Sequence, residues 1–86
     1  MAAKRSMNAP KVISKVFGLW KALEQQEQRK ITIDSLIEGT GLAKNTVRKY
    51  IEPNGDVTGS PLSSAAAFAR YFGVGLGNVV SIEEAS

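Results

Sequence analysis

The sequence predicts an all-α fold, a compact bundle of about five short helices, and three observations support this. Apolar residues recur at steps of three and four in successive segments, which is the spacing of one helix face. Glycine, proline and polar runs separate these segments. At 86 residues the chain suits one small domain with a single core. We expect that domain over residues 10–82, with a flexible basic arm over 1–9 and a short acidic tail over 83–86.

The first helix is predicted to begin at Pro10, because proline suits the first turn of a helix, with Asn8 available as its cap. Its apolar stripe covers residues 12–23, and the polar run of residues 25–30 should contain its end. Gly18, in the middle of the stripe, suggests a close contact with another helix.

The segment over residues 31–33 leaves two alternatives. Its side chains have strand propensity, but Thr32 could instead cap a second helix, with Asp34 in the first turn complementing the helix dipole. We favour the cap, because the apolar residues that follow keep helical spacing. The Gly-Thr-Gly run at residues 39–41 should end this helix.

A third helix is predicted over residues 43–52, where Pro53 stops it, and residues 54–60 should form a loop. Ser60 and Pro61 should open a fourth helix as its cap and first residue. Gly73 should end that helix, and a final short helical element is expected over 76–82.

The composition excludes several kinds of chemistry. The chain has no Cys and no His, so disulfides, thiolate nucleophiles, catalytic triads and ordinary zinc sites lack their residues. We therefore expect no catalytic residue, no metal and no cofactor. No apolar run approaches the roughly 20 residues that span a bilayer, and residues 1–10 contain no apolar core of a secretory signal. The expected location is the cytoplasm.

Charge is unevenly distributed along the chain. Residues 1–50 carry ten positive and four negative side chains, a net +6, whereas residues 51–86 carry a net −3. This division favours one surface that attracts a polyanion and another that avoids it. The alternative is a chance scatter of surface charge.

Residues 31–51 carry the functional signal. Two short amphipathic helices joined by a turn with glycine at Gly41 form a helix-turn-helix. In such a pair the second helix stands out from the body and fits the major groove, which is about 12 Å wide. Its polar residues suit that task, since Lys and Arg pair with guanine and Asn pairs with adenine. Those residues are Lys44, Asn45, Arg48 and Lys49. The alternative is a solvated basic face on an ordinary core helix.

Residues 11–82 resemble the lambda-repressor-like helix-turn-helix family, the five-helix domain of Cro-type and phage-repressor-type transcription factors. The matching motifs are Ile31-Thr32 with Leu36, Thr40-Gly41-Leu42, Asn45-Thr46-Val47, Asn54-Gly55 and the run LSSAAAFARYFGVGLGNVV. The resemblance implies a sequence-specific regulator of transcription, a repressor of the Cro type, that binds double-stranded DNA in the bacterial cytoplasm or nucleoid. It also implies a dimer on a two-fold site.

The resemblance further implies roles for single residues. Base-reading positions fall on Ala43, Lys44, Asn45 and Lys49, and contacts to the DNA backbone or of mixed kind fall on Thr32, Thr40, Thr46 and Arg48. The family commonly has Ser or Thr where this chain has Ala43. Because alanine cannot cap a helix, this departure should cost about 1 kcal/mol or shift the helix start.

Three hypotheses remain open. Lys4 and Arg5 could bring the arm to the duplex, or the arm could be a plain disordered terminus. Apolar residues in segment 76–82, namely Val79, Val80 and Ile82, could form a homodimer contact or pack on the first helix. Finally, the helix pair could bind a protein, as in an antitoxin or an adaptor, instead of DNA.

Overall fold

A computed structural model describes residues 10–83 of the chain. These residues form four α-helices, one 3-10 turn and a two-stranded antiparallel sheet. The elements in chain order are β1 (Lys11–Ser14), α1 (Val16–Glu27), α2 (Ile33–Thr40), α3 (Lys44–Ile51), α4 (Leu62–Phe72), the 3-10 turn (Leu76–Asn78) and β2 (Val80–Glu83). Asn8, Lys4 and Arg5 lie outside the described residues, as does the tail from residue 84.

The prediction of a purely helical bundle was wrong at the start of the domain. Residues 11–14 form β1, and the first helix begins only at Val16. Val12 and Ile13 fit a helical stripe and a strand equally well, and both are β-branched, which favours a strand. The hydrogen-bond partners that make residues 11–14 a strand are distant in sequence. Residues 80–83 pair with one edge of β1, and the amide of Val57 donates to the carbonyl of Val12 on the other edge, at 2.9 Å.

The predicted fifth helix was wrong for the same reason. Only Leu76–Asn78 form one turn of 3-10 helix, and Val80–Glu83 then form β2. β2 runs antiparallel to β1, with Ser14 opposite Val80 and Lys11 opposite Glu83. A short segment with β-branched residues takes the strand conformation when a partner strand is within reach.

Most predicted helix ends are confirmed. α1 stops inside the polar run, with Gln28 in the left-handed conformation, and Thr32 caps α2 as favoured over a strand. α3 ends just before Pro53, and Gly73 ends α4 in the left-handed conformation. The local signals of capping and helix breaking were therefore reliable where no distant strand competed.

Two finer expectations were wrong. Pro61, and not Ser60, is the residue that precedes α4, and no side chain caps this helix. The Ser60 hydroxyl instead shares a 2.8 Å hydrogen bond with the hydroxyl of Tyr50. Gly18 makes no close contact, because an added Cβ would meet nothing within 4 Å.

One hydrophobic core unites the helices and the sheet. The aromatic rings of Tyr50 from α3 and Phe68 from α4 lie at its centre, with centroids 4.9 Å apart. The buried apolar residues are Val16, Ile31, Leu36, Val47, Tyr50, Val57, Ala65, Phe68 and Val79. Within the described residues, no helix is both long enough and apolar enough to cross a membrane.

Candidate nucleic-acid interface

The turn between α2 and α3 is fixed by hydrogen bonds within the chain. Gly41 has a φ of 74°, which glycine adopts without strain, and its amide donates to the carbonyl of Ile37 at 2.8 Å. The Thr40 hydroxyl donates to the carbonyl of Leu36 at 2.6 Å and accepts from the amide of Leu42 at 3.3 Å. The turn therefore has a defined geometry, and α3 leaves it in a fixed direction.

Two side chains of α1 hold the start of α2. The indole of Trp20 donates to the carbonyl of Ile31 at 2.8 Å, and the amide of Ile31 donates to the carboxylate of Glu24 at 2.8 Å. That amide hydrogen bond, together with the Lys21 ammonium 3.3 Å away, holds the pKa of Glu24 below its ordinary value. Because the Thr32 hydroxyl also accepts from the amide of Ser35, the first turn of α2 is well anchored.

α3 is buried on one side and exposed on the other. Val47 and Tyr50 point into the core and have almost no exposed surface. The four polar residues that the sequence singled out, Lys44, Asn45, Arg48 and Lys49, are all exposed. Ala43 is the residue before the helix, with no side-chain cap, as its lack of a hydroxyl predicts. The structure thus brings Lys44, Asn45 and Lys49, three of the four predicted base-reading residues, onto one short helix, with Ala43 directly before it.

The exposed polar residues of α3 fall into two rows along the helix. Successive helical residues differ by about 100° in direction. Asn45 and Lys49, four residues apart, point away from buried Val47. Lys44 and Arg48, again four apart, form the row on one flank, and half-buried Thr46 is on the other flank. The outward row is therefore the part of α3 that projects farthest from the core.

The cations of α3 are available to an external anion. Among residues 10–83, the ion pairs join Lys21 to Glu24 and Arg29 to Glu27. Neither pair includes a residue of α3. Exposed cations that are not in an ion pair within the chain can attract phosphate.

A shallow cleft runs along each flank of α3. One, of about 260 Å³, lies between the helix and the loop before α4, and it is lined by Thr46, Lys49, Tyr50 and residues 57–61. The other lies beside the first turn of α2 and is lined by Ile33, Arg48, Ile51, Glu52 and Pro53. Sequence reasoning missed the hydroxyl-bearing loop residues Thr58 and Ser60. Their position beside α3 depends on β1, which the sequence did not predict.

The acidic side chain of Asp56 lies close to Lys49 of α3. Asp56 accepts a 3.0 Å hydrogen bond from the amide of Thr58. Hydrogen bonds from the side chain and the amide of Thr58, followed by the charges of Lys11 and Lys49, lower the pKa of this carboxyl. Asp56 is therefore ionised at neutral pH and limits the positive potential on this side of α3.

The predicted backbone-contact residues have mixed positions. Thr32 is exposed at the start of α2 and Thr40 is half-buried in the turn, and both hydroxyls already bond within the chain. Thr46 and Arg48 lie on opposite flanks of α3. Within residues 10–83, no group of three or more acidic side chains is placed to hold a metal ion.

Fold and site together define a helix-turn-helix protein with an exposed basic second helix. The sequence profile of the Cro/C1-type HTH DNA-binding domain matches residues 19–85. The chain belongs to this family, as the resemblance in its motifs predicted. Searches of the curated proteins and of the solved structures each gave no significant match. β1 precedes the matched residues.

Proposed function

We propose that this chain is a sequence-specific regulator of transcription that places α3 in the major groove of double-stranded DNA. One observation carries the proposal. The exposed side of α3 presents Asn45 and three cations, and none of these cations belongs to an ion pair among the described residues. The buried side of the same helix is fixed by Val47 and Tyr50, so the exposed side has a set orientation.

Each predicted contact residue of the helix-turn-helix has a proposed partner on the DNA. Lys44 and Lys49 suit the acceptors of guanine, Asn45 suits adenine, and the methyl of Ala43 suits the methyl of thymine. Arg48 lies on the flank beside α2, where a backbone or mixed contact is favoured. The proposed neighbours of the phosphates are Thr32, Thr40 and Thr46.

The basic arm is part of the same proposal. β1 begins at Lys11, and the charge of Lys11 acts on Asp56, as does that of Lys49. The chain before β1 therefore starts near the loop that borders α3. From there Lys4 and Arg5 are proposed to contact the DNA backbone. Removing residues 1–8 should lower the salt dependence of binding by about 0.9 in log–log slope for each lost phosphate contact.

The regulatory effect that we propose is repression, as in the Cro-type proteins that the motifs resemble. A protein bound at its site would block access of the polymerase to the promoter. A reporter with the selected site inside its promoter should lose expression when the protein is present. Increased expression would instead indicate an activator.

Selection from random duplexes tests the proposed function. The full chain should enrich one sequence motif at moderate salt. A variant with Lys44, Arg48 and Lys49 all changed to Ala should enrich none. The control variant changes Arg29, Lys30 and Arg70 to Ala, which removes the same positive charge from the α1–α2 connection and from α4, and it should keep the motif. Absence of any motif with the unaltered chain would refute the proposal and favour the protein-binding alternative.

A homodimer through the C-terminal strand completes the proposal. β2 pairs with β1 along one edge, and its other edge has no strand partner among the described residues. Ile82 on this strand is 67% exposed, whereas Val79 is fully buried in the chain's own core. The proposed contact therefore involves β2 and Ile82, and Val79 contributes to folding instead. A second copy that pairs with the open edge would cover Ile82.

Sedimentation equilibrium tests the dimer. The unaltered chain should sediment as a dimer, and Ile82→Lys should shift it to the monomer. Leu62→Lys is the matched control, because Leu62 is 69% exposed and belongs to α4, not to the strand. A monomer for the unaltered chain, or dimers for both variants, would contradict this contact.

A further inference from the structure

β1 lies between two hydrogen-bonded partners. β2 covers one edge, and the segment that follows α3 covers the other. On that second edge, the amide of Ser14 donates to the carbonyl of Gly55 at 2.8 Å, and the amide of Val12 donates to the Thr58 hydroxyl at 2.8 Å. The chain that leaves α3 is thereby attached to β1 along several residues.

The side chain of Ser14 attaches β1 to α3 itself. Ser14 is 2% exposed, and its hydroxyl donates to the carbonyl of Tyr50 in the last turn of α3, at 2.5 Å. The same oxygen accepts from the amide of Val16 in the first turn of α1, at 3.1 Å. One buried hydroxyl therefore joins the end of α3 to the beginning of α1.

This hydrogen bond takes the place of a cap at the end of α3. The last four carbonyls of a helix have no partner within the helix and need another donor. The residue after α3, Glu52, is extended and not left-handed, so the usual glycine cap is not formed. Ser14 supplies the donor that the buried Tyr50 carbonyl would otherwise lack.

The hydrogen bond between Ser14 and Tyr50 influences the orientation of the exposed side of α3. α3 has eight residues, about 12 Å, and its beginning is already fixed by the Gly41 turn. The Ser14 contact fixes the other end of α3. The Gly41 turn and the Ser14 contact together therefore set the tilt of the helix. A small tilt displaces Asn45 and Lys49 relative to base edges, whereas a contact with flexible phosphates tolerates it.

We infer that Ser14 is a positioning residue for DNA recognition, whose hydroxyl sets the angle at which α3 presents its base-reading side chains. The inference rests on the proposed function. It concerns a residue of β1, outside the region that the family profile matches.

Affinities for two duplexes test the inference. One duplex carries the motif selected by the unaltered chain, and the other is an unrelated sequence of the same length. Ser14→Ala should weaken binding to the selected duplex about tenfold and change binding to the unrelated duplex less than about twofold. Both affinities are measured at a temperature where circular dichroism shows each variant fully folded, so that lost folding cannot mimic the effect.

Two further variants separate positioning from general stability. Ser14→Thr keeps a hydroxyl donor and should recover most of the affinity ratio between the two duplexes. Ser64→Ala removes the other buried serine hydroxyl, in α4, and should leave that ratio unchanged. If Ser14→Ala leaves the ratio of the two affinities unchanged, whether or not both affinities fall, the inference is overturned and the proposed function stays intact. If the unaltered chain selects no motif, the proposed function fails and the inference fails with it.

Discussion

Gly39 on α2 lies against the ring of Tyr71 on α4, so close that a Cβ at position 39 would overlap the ring edge. The approach brings α2 against α4 and, through the turn, helps to place α3. No sequence pattern shows this contact, because it depends on how two helices cross and not on either helix alone. The consequences for stability are open to direct measurement.

Two glycine substitutions should have opposite effects. Gly39→Ala forces the Tyr71 ring to move and should destabilise the fold by about 1–3 kcal/mol. Gly18→Ala is the matched control, because its Cβ meets nothing within 4 Å in the first turn of α1, and it should stabilise by up to about 1 kcal/mol. Urea unfolding gives both values. Stabilisation by Gly39→Ala would show that the two helices do not meet as described.

A cap added to α3 should stabilise the protein. Ala43 precedes the helix with extended backbone angles and no side-chain hydrogen bond, so Ala43→Ser supplies a missing acceptor. We expect a gain of about 1 kcal/mol in the free energy of unfolding. Ala66→Ser, at an exposed position inside α4, should instead cost a few tenths of a kcal/mol. Similar effects of both substitutions would contradict the assigned helix start.

Stability should fall in acid through the carboxylate of Glu24. The amide of Ile31 and the charge of Lys21 lower the pKa of this group, so its stabilising effect is complete above its ordinary value of 4.5. The effect is lost as the pH falls through 4.5 towards the lower folded pKa. The Tm difference between the unaltered chain and Glu24→Gln should therefore be larger at neutral pH than in acid.

A second substitution separates charge from hydrogen bonding at this position. Glu24→Gln keeps an acceptor for the amide of Ile31, whereas Glu24→Ala removes it. Glu24→Ala should thus be the less stable variant even in acid, where the carboxylate no longer carries charge. A Tm difference for Glu24→Gln that stays constant with pH would contradict the ionic contribution.

Side chains on α3 should divide into base readers and backbone contacts. Lys44→Ala and Asn45→Ala should each relax the preference at one base pair by about 1–3 kcal/mol. Arg48→Ala should weaken binding to all sequences alike and reduce the salt slope by about 0.9. Competition with single-base variants of the selected site distinguishes base readers from backbone contacts. Loss of preference at a single position on Arg48→Ala would move this residue to the base-reading group.

Local signals in the sequence were sufficient for the helix-turn-helix and insufficient for its surroundings. The Thr32 cap, the Gly41 turn and the stop at Pro53 act within a few residues, and the structure has all three. β1 and β2 depend on pairing between residues about 70 positions apart, as between Val12 and Ile82. Such pairing is decided by tertiary contacts that override local propensity.

The same distinction applies to the site. Helical spacing was enough to place Lys44, Asn45, Arg48 and Lys49 on the exposed side of one helix. The loop residues beside Lys49 and the hydroxyl of Ser14 were not found, since both reach α3 only because β1 is a strand. The part of the site built by sequence neighbours was predictable, and the part built by distant strands was not.

The central claim is that α3 reads DNA from the major groove, and dimethyl sulfate protection on the selected duplex tests it most directly. The reagent methylates N7 of guanine in the major groove and N3 of adenine in the minor groove, so it reports each groove separately. Bound protein should protect guanine N7 within the motif, and Lys44→Ala should restore reactivity at one of these guanines. Protection confined to adenine N3, with guanine N7 fully reactive, would contradict the claim.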